Sequence, residues 1–308
     1  MRSKSDSSPT PSQGPFFYEW AFGALLAFLS LRALIRFGPL DPAAWVPFIL
    51  LVVDGALIRW DRDPRSLWSG RIRLLFHPVA MGILYVRLGR DVPRLDPTRA
   101  DAWLLAIDRW LLGETPAVIL SSHLHPVATE LLSLCYLLFY VALVAYHWIW
   151  LSHSLPMARK FCTGLYWIYA VGYVGYSLVP GVGPWVYLAA KLEPLTAGPL
   201  TWLTDQVVRA GCNGVDVLPS LHCAVALYFL GFDFMNGQRR RFLLTLAPGL
   251  GLCVATMYLR YHYAVDVLAG CLLAAVALVL VRLTQADSAR VERTDELRME
   301  TRHGSNAR

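Results

Sequence analysis

Long stretches of this chain carry almost no charge, and this limits the folds that it can adopt. Between Phe161 and Ala190 there is no Asp, Glu, Lys or Arg, and between Pro126 and Ser152 the only charged residue is Glu130. Apolar runs of about 18 residues or more are typical of helices that cross a bilayer. Only 16% of all residues are charged, against about 25% in an ordinary soluble protein. The sequence therefore predicts an all-α, polytopic integral membrane protein.

The apolar runs predict about eight membrane spans. They are Phe16–Phe37, Ala43–Ile58, Leu74–Leu88, Val127–Leu151, Phe161–Val179, Val217–Phe234, Phe242–Leu259 and Ala264–Leu283. A further segment, Asp101–Gly113, has apolar residues at helical spacing with charges between them, which is typical of an interfacial amphipathic helix. The membrane-embedded domain then covers residues 16–285. It lies between a disordered tail at 1–15 and a polar tail at 286–308 that is also expected to be disordered.

Basic residues cluster in the loops at one end of these spans. With eight spans both termini lie on that side, and its loops contain Arg59, Arg62, Arg65, Arg71, Arg73, Arg159, Lys160, Arg239, Arg240 and Arg241. The positive-inside rule places these loops in the cytoplasm, although Arg32 and Arg36 lie at the other end. Since most basic residues are accounted for in this way, the net charge of +6 does not indicate a nucleic-acid partner.

Two histidines begin apolar runs on the opposite side of the predicted bilayer. His222 ends the sequence "LPSLH", and His262 begins "HYAVD", in which Asp266 can contact the imidazole ring and fix its tautomer. Pro219 is suited to the first turn of a helix, where free backbone N–H groups form an anion site and Ser220 can donate a hydroxyl. Ionisable groups at membrane depth usually have a function. We therefore predict an active site of His222, His262 and Asp266 at the extracytoplasmic or lumenal face.

These motifs resemble those of the type 2 phosphatidic acid phosphatase superfamily. The second motif of that family, P-S-G-H, is similar to "PSLH", with Leu221 in place of the glycine. The third motif, S-R-x5-H-x3-D, has its histidine and aspartate at His262 and Asp266. The serine and arginine of that motif are replaced by Ala255 and Thr256, and the first motif, K-x6-R-P, is absent.

The departures from the phosphatase pattern favour one branch of the superfamily. The segments "VPGVGPWVYLA", "LPSLH" and "ATMYLRYHYAVDVLAG" are similar to inositol phosphorylceramide synthases and their bacterial relatives. This resemblance extends over residues 179–270, whereas the upstream "IDRWLLGETP" is only loosely similar. The resemblance implies a transferase, and we expect a six-helix catalytic bundle.

The resemblance implies a mechanism that needs no metal and no other cofactor. His262 would attack phosphorus and form a phosphohistidine, Asp266 would orient it, and His222 would protonate the leaving oxygen and then deprotonate the acceptor. The substrate would be a phospholipid or a polyprenyl phosphate in the bilayer. We favour a phosphotransferase that uses a lipid hydroxyl, such as that of ceramide or diacylglycerol, as acceptor. A phosphatase that uses water with the same residues is the alternative.

A bound phosphate also needs positive charge, which the missing arginines of the motifs would have supplied. Arg260, two residues before His262, is the best substitute, and Lys191 and Arg209 are further candidates. A tryptophan at headgroup level is typical of a membrane interface, so the segment before "LPSLH" is expected to line the substrate groove. The residues concerned are Gly183, Pro184 and Trp185.

Two other kinds of protein would use the same residues differently. Two histidines and a carboxylate can form a metal site, which would make the protein a metal-dependent enzyme or metal carrier. In a transporter or lipid scramblase, the three residues would form a proton relay. The other histidines in or beside apolar runs are expected to bond a neighbouring helix or lie at the interface: His77, His123, His125, His147 and His153.

Overall fold

A computed structural model describes the backbone of residues 14–61, 67–195 and 198–305, and the side chains of these ranges except Leu67 and those beyond Thr284. Within these ranges the chain is helical and contains no strand. The helices are α1 (Phe17–Phe37), α2 (Pro42–Trp60), α3 (Leu67–Leu95), α4 (Asp101–Leu112), α5 (Pro116–Ile119), α6 (Pro126–Leu151), α7 (Leu155–Leu178), α8 (Pro184–Tyr187), α9 (Pro199–Gly211), α10 (Leu221–Met235), α11 (Arg239–Tyr258) and α12 (Ala264–Ser305).

All eight predicted spans correspond to helices, which confirms an all-α polytopic protein. Six of them, α1, α2, α3, α6, α11 and the first half of α12, are long and apolar enough to cross a bilayer. The helix α10 has 15 residues, about 22 Å at 1.5 Å per residue, and is therefore shorter than a bilayer core of about 30 Å. The helix α7 is the central element, because it packs against α1, α3, α10 and α12.

Several helix boundaries differ from the prediction for local reasons. The helix α7 begins at Leu155 rather than Phe161, so that "PMARK" is helical and Arg159 reaches Asp61 (3.1 Å). The helix α10 begins at Leu221 rather than Val217, because Ser220 is its N-cap.

The two predicted tails lie at the edges of the described structure. The predicted disordered tail at the N-terminus lies almost entirely outside the described residues. At the other end the backbone of α12 continues as a helix to Ser305, and the disorder expected after residue 285 stays a prediction. This segment is rich in Arg and Glu and lacks proline, a composition of high helix propensity.

The short helix α4 exists as predicted, and its two aspartates face the protein. Asp101 and Asp108 are fully buried, whereas Trp103 and Trp110 are more than half exposed. Outward-facing tryptophans suit the interfacial position predicted for this helix. The aspartates are buried because they bond backbone groups of the site described below.

A second helix, α9, lies inside the stretch 181–216 that was expected to be a loop. Its N-terminus is held by Glu130 of α6, whose carboxylate accepts from the N–H groups of Gly198, Leu200 and Thr201 at 2.8–3.0 Å. Free N–H groups at a helix start favour such an acceptor. Glu130, the only charged residue of the fourth predicted span, therefore positions α9 over the end of the bundle.

The chain places both motif histidines at the same end of the bundle, opposite the three arginines that begin α11. His222 is in the first turn of α10, and His262 lies between α11 and α12. The side of the membrane that this end faces remains a prediction from the basic loops.

The sidedness can be tested with single cysteines at exposed positions near the two ends, in a background without the six native cysteines. We expect an impermeant maleimide to label an Ala190→Cys variant in intact cells, because Ala190 lies at the histidine end. A Gln238→Cys variant should be labelled only after lysis. The reverse pattern would place the histidines at the cytoplasmic face.

Candidate active site

The tight connection between α11 and α12 positions His262. The N–H groups of Tyr261 and His262 both donate to the carbonyl of Thr256, at 2.8 and 2.9 Å. His262 is 3% exposed, and its Nδ1 lies 3.5 Å from Oδ2 of the fully buried Asp266. This distance is that of an ion pair rather than a short hydrogen bond. Because Asp266 lies beside Nδ1, Nε2 is the ring nitrogen left for chemistry.

Asp266 holds its place through the start of its own helix. Its Oδ2 accepts from the N–H of Tyr263 (2.9 Å), and its carbonyl accepts from the N–H of Ser220 (3.0 Å). Burial lowers the pKa of His262, but the bonding and charge of Asp266 raise it more, so the net shift is upward. The carboxylate therefore stabilises positive charge on the ring.

His222 lies across from His262, with a separation of 5.7 Å between the ring centroids. Its Nε2 is 3.1 Å from the hydroxyl of Tyr136 on α6, and the ring also contacts Phe139. The two predicted histidines therefore meet, as the motifs indicated, and an aromatic wall fixes the orientation of one of them.

The start of α10 differs in detail from the anion site that the sequence suggested. Pro219 lies before the N-cap, not in the first turn, and the fully buried Ser220 accepts weakly from the N–H of Cys223 (3.4 Å). The backbones of α10 and α12 meet here, since a Cβ at Gly270 would lie 2.5 Å from the carbonyl oxygen of Ser220. Ser220 therefore connects α10, which carries His222, to α12, which begins just after His262. This role is in addition to any contact with an anion.

The buried carboxylates of α4 hold the loops around the histidines. Asp101 accepts from the N–H groups of Val182 (3.0 Å) and Gly183 (2.9 Å) and from the hydroxyl of Tyr263 (3.0 Å). Asp108 accepts from the first N–H groups of α12, those of Ala264 and Val265, at 3.0 Å each. Two charges on one helix thus fix both the segment before α8 and the start of α12.

The predicted segment Gly183–Trp185 lies beside the histidines. Gly183 has φ +80°, and a Cβ there would lie 2.4 Å from the carbonyl oxygen of Tyr261, so a side chain is not tolerated. The N–H of Trp185 donates to the carbonyl of Arg260 (2.8 Å). Pro184 is buried and begins α8. Trp185 therefore forms a wall of the site, and Gly183 permits the close approach of this segment to the backbone of Tyr261.

Two cavities meet at this wall. The first has a volume of about 380 Å³, contains both histidines, and is lined mainly by aromatic and apolar side chains from α3, α6, α7, α9 and α10. The second has a volume of about 560 Å³ and is lined by Arg260, Arg209 and Trp202 among others. Trp185 and Tyr261 line both cavities.

The candidate cations do not line the histidine cavity. Arg260 lies on the second cavity, with Nη1 donating to the carbonyl of Glu193 (2.5 Å). Its backbone has φ +71°, the left-handed region, which reverses the chain just before His262. Arg209 is exposed and paired with Asp205 (2.7 Å). Lys191 is exposed and lines neither cavity, and no described lysine or arginine lines the first cavity.

Three residues of the site were not found from the sequence: Asp101, Asp108 and Tyr136. The spacing of the two aspartates, seven residues or two helical turns, places them on one face and could have indicated a shared role. No local pattern distinguishes Tyr136 among the many aromatic residues of α6.

We expect Asp108→Asn to lower activity at least about tenfold without unfolding the protein. The amide cannot accept from both N–H groups of α12, and a displacement of about 1 Å at a reacting group can cost about a hundredfold in rate. Release of the aryl alcohol from an aryl phosphate, which reports transfer of the phosphoryl group to any acceptor, and the Tm measure the two effects. Glu114→Gln, which alters a partly exposed pair with Arg109 nearby, should change neither. Equal losses in both variants would contradict the positioning role of Asp108.

The comparison with known proteins agrees with this site. Residues 102–280, more than half of the chain, match the sequence model of the PAP2 superfamily. The match begins in α4 and includes both histidines, Asp266 and the loops that hold them. No curated protein and no solved structure matches the chain significantly. Phosphatase-type or phosphotransferase-type chemistry is the activity of this group. The chain therefore belongs to the PAP2 superfamily.

Proposed function

We propose that the protein is a membrane lipid phosphotransferase that transfers a phospho-headgroup between lipids through a phosphohistidine. The observation that carries the proposal is the position of the histidine pair on a deep, aromatic-lined cavity. Tyr136, which contacts His222, and His147 both line this cavity. They are 11 residues apart on α6, or about 16 Å. A cavity of this depth suits an acyl or polyprenyl chain whose phosphate lies at the histidines.

The two histidines divide the chemistry between them. Nε2 of His262 attacks phosphorus, and the bond from phosphorus to the leaving oxygen breaks while His222 gives that oxygen a proton. The acceptor hydroxyl then attacks phosphorus, His222 takes its proton, and the N–P bond breaks. Phosphorylation leaves positive charge on the imidazole. The upward pKa shift of His262 supports the proposal that Asp266 stabilises this intermediate.

The headgroup is proposed to lie at the junction of the two cavities. Arg260 would then approach the phosphate from the second cavity, on the far side of Tyr261, and provide the charge that the first cavity lacks. Its Nε and Nη2 are buried without a hydrogen-bond partner in the described structure. These two nitrogens form one edge of the guanidinium, which can bind two oxygens of one phosphate. We propose that Lys191, which is exposed, and Ser220 contribute less than Arg260 to binding of the phosphate.

Transfer is favoured over hydrolysis for two reasons. The lining of the first cavity is mostly apolar, which disfavours water as the acceptor. Three segments between residues 179 and 270 also resemble inositol phosphorylceramide synthases. Ceramide or diacylglycerol is accordingly the proposed acceptor, and the proposed location is the extracytoplasmic or lumenal leaflet. Hydrolysis of a lipid phosphate or polyprenyl pyrophosphate by the same residues is the second candidate.

Mass spectrometry of lipids can distinguish these two functions. Purified protein is incubated with a phospholipid labelled in its headgroup, with or without ceramide or diacylglycerol. We expect labelled product lipid only when acceptor is present, and we expect it to disappear in His262→Ala and His222→Ala. Arg260→Lys should lose most of the activity, because an ammonium cannot replace the two-nitrogen edge.

Two results would contradict the proposal in different ways. Release of a phosphate or headgroup that does not depend on acceptor would show a phosphatase. Labelled product at the wild-type level in His262→Ala would exclude the histidine mechanism. Asp205→Asn is the matched control for the second cavity, because it removes an exposed charge there and should leave the histidine chemistry intact.

A further inference from the structure

A second group of buried ionisable residues lies in the three N-terminal helices, outside the part matched to the PAP2 superfamily. Glu19 of α1, Asp54 of α2 and His77 of α3 are each at most 2% exposed. Arg73 and Asp61 lie beside them and are also buried. The group is near the bundle end opposite the catalytic histidines. Burial of so many ionisable groups is costly unless each charge is compensated.

Part of this group is compensated by ion pairs. Arg73 bonds both carboxylate oxygens of Glu19, at 2.5 Å each, and also reaches Asp61 (3.2 Å). Arg159 of α7 provides a second cation for Asp61 (3.1 Å). Two arginines thus balance two carboxylates. Among the described ion pairs, the only basic partner of Asp54 is His77.

The contact between Asp54 and His77 is unusual. Nδ1 of His77 lies 3.1 Å from the carbonyl oxygen of Arg73. Because a carbonyl oxygen can only accept, Nδ1 carries the proton and Nε2 presents a lone pair. Nε2 faces Oδ1 of Asp54 at 3.6 Å, and neither atom has a hydrogen-bond partner in the described structure. Two acceptors face each other, so a positive species between them would stabilise the arrangement.

The donor set fits a metal ion. Among the described residues, the ligand atoms of Glu19, Asp54 and His77 all lie within 4.8 Å of one another. Ligand atoms bonded at about 2.0–2.2 Å to a tetrahedral zinc-like ion lie about 3.3–3.6 Å apart, so the three side chains need to close by about 1 Å around the ion. A histidine whose other N–H donates to a carbonyl, and a carboxylate held by an arginine, are typical outer-shell arrangements of metal sites.

We propose that Glu19, Asp54 and His77 bind a divalent transition-metal ion, Zn²⁺ or Mn²⁺, that ties α1, α2 and α3 together. Each helix contributes one ligand, and imidazole with carboxylates suits these ions. The hydroxyl of Tyr18 is buried without a partner in the described structure, and its ring packs on His77 (5.2 Å), so it is a candidate for a further donor. His77 also stacks on Tyr166 of α7 (5.0 Å), which connects the site to the central helix. The role is structural and independent of the proposed function.

Metal content and thermal stability test this proposal without any measurement of activity. The full chain is purified without a histidine tag, depleted by a chelator, and dialysed against Zn²⁺ or Mn²⁺. Elemental analysis should find about one equivalent of one of these ions per chain, and its addition to depleted protein should raise the Tm by several degrees. Asp54→Asn and His77→Gln should lose the bound ion and the increase in Tm.

His147→Gln is the matched control. Nδ1 of His147 also lies beside the carbonyl oxygen four residues earlier, that of Leu143 (2.7 Å), but the residue lies on α6, outside the cluster. It should retain the ion and the increase in Tm. Wild-type protein that binds neither ion would show that Asp54 and His77 share only a proton, and would overturn the proposal. Retention of the ion in both cluster variants would do the same by locating the metal elsewhere.

Discussion

Irregular backbone at the end of a membrane bundle needs hydrogen-bond acceptors, and buried aspartates provide them here. The connection that carries His262 cannot bond to itself as a helix does, and unsatisfied N–H groups in apolar surroundings are costly. Asp101 accepts from the segment before α8, Asp108 from the start of α12, and Asp266 from Tyr263. These carboxylates fix the loop geometry, and the position of His262 follows from that geometry.

This dependence gives Asp266 a double role. The carboxylate that closes the first turn of α12 is also the one beside Nδ1 of His262, so folding of the turn sets the orientation of the ring. The carbonyl of Asp266 in turn binds the N–H of Ser220, which ties the start of α10 to α12. The two histidines are therefore brought together by backbone contacts, before any substrate is bound.

The sequence was informative wherever the signal was local. Apolar runs with few charges located the eight helices that were predicted as spans, and two short motifs identified His222, His262 and Asp266. The amphipathic pattern of α4 was recognised, but hydrophobic periodicity does not show that Asp101 and Asp108 accept hydrogen bonds from backbone N–H groups. The helix α9 was missed for a similar reason, since Glu130 that caps it lies far away in sequence. Arg260 is only two residues before His262, yet the left-handed backbone at this residue directs its side chain to the neighbouring cavity.

The proposed mechanism depends most on His262 as the residue that carries the phosphoryl group. Protein turning over a phosphorus-labelled lipid can be quenched in base, where phosphohistidine survives, and digested for mass spectrometry. The mechanism predicts label on the peptide that contains His262, accumulation of that label when acceptor is withheld, and its loss when acceptor is added. Label on another residue, or steady turnover with no labelled protein under these conditions, would contradict it.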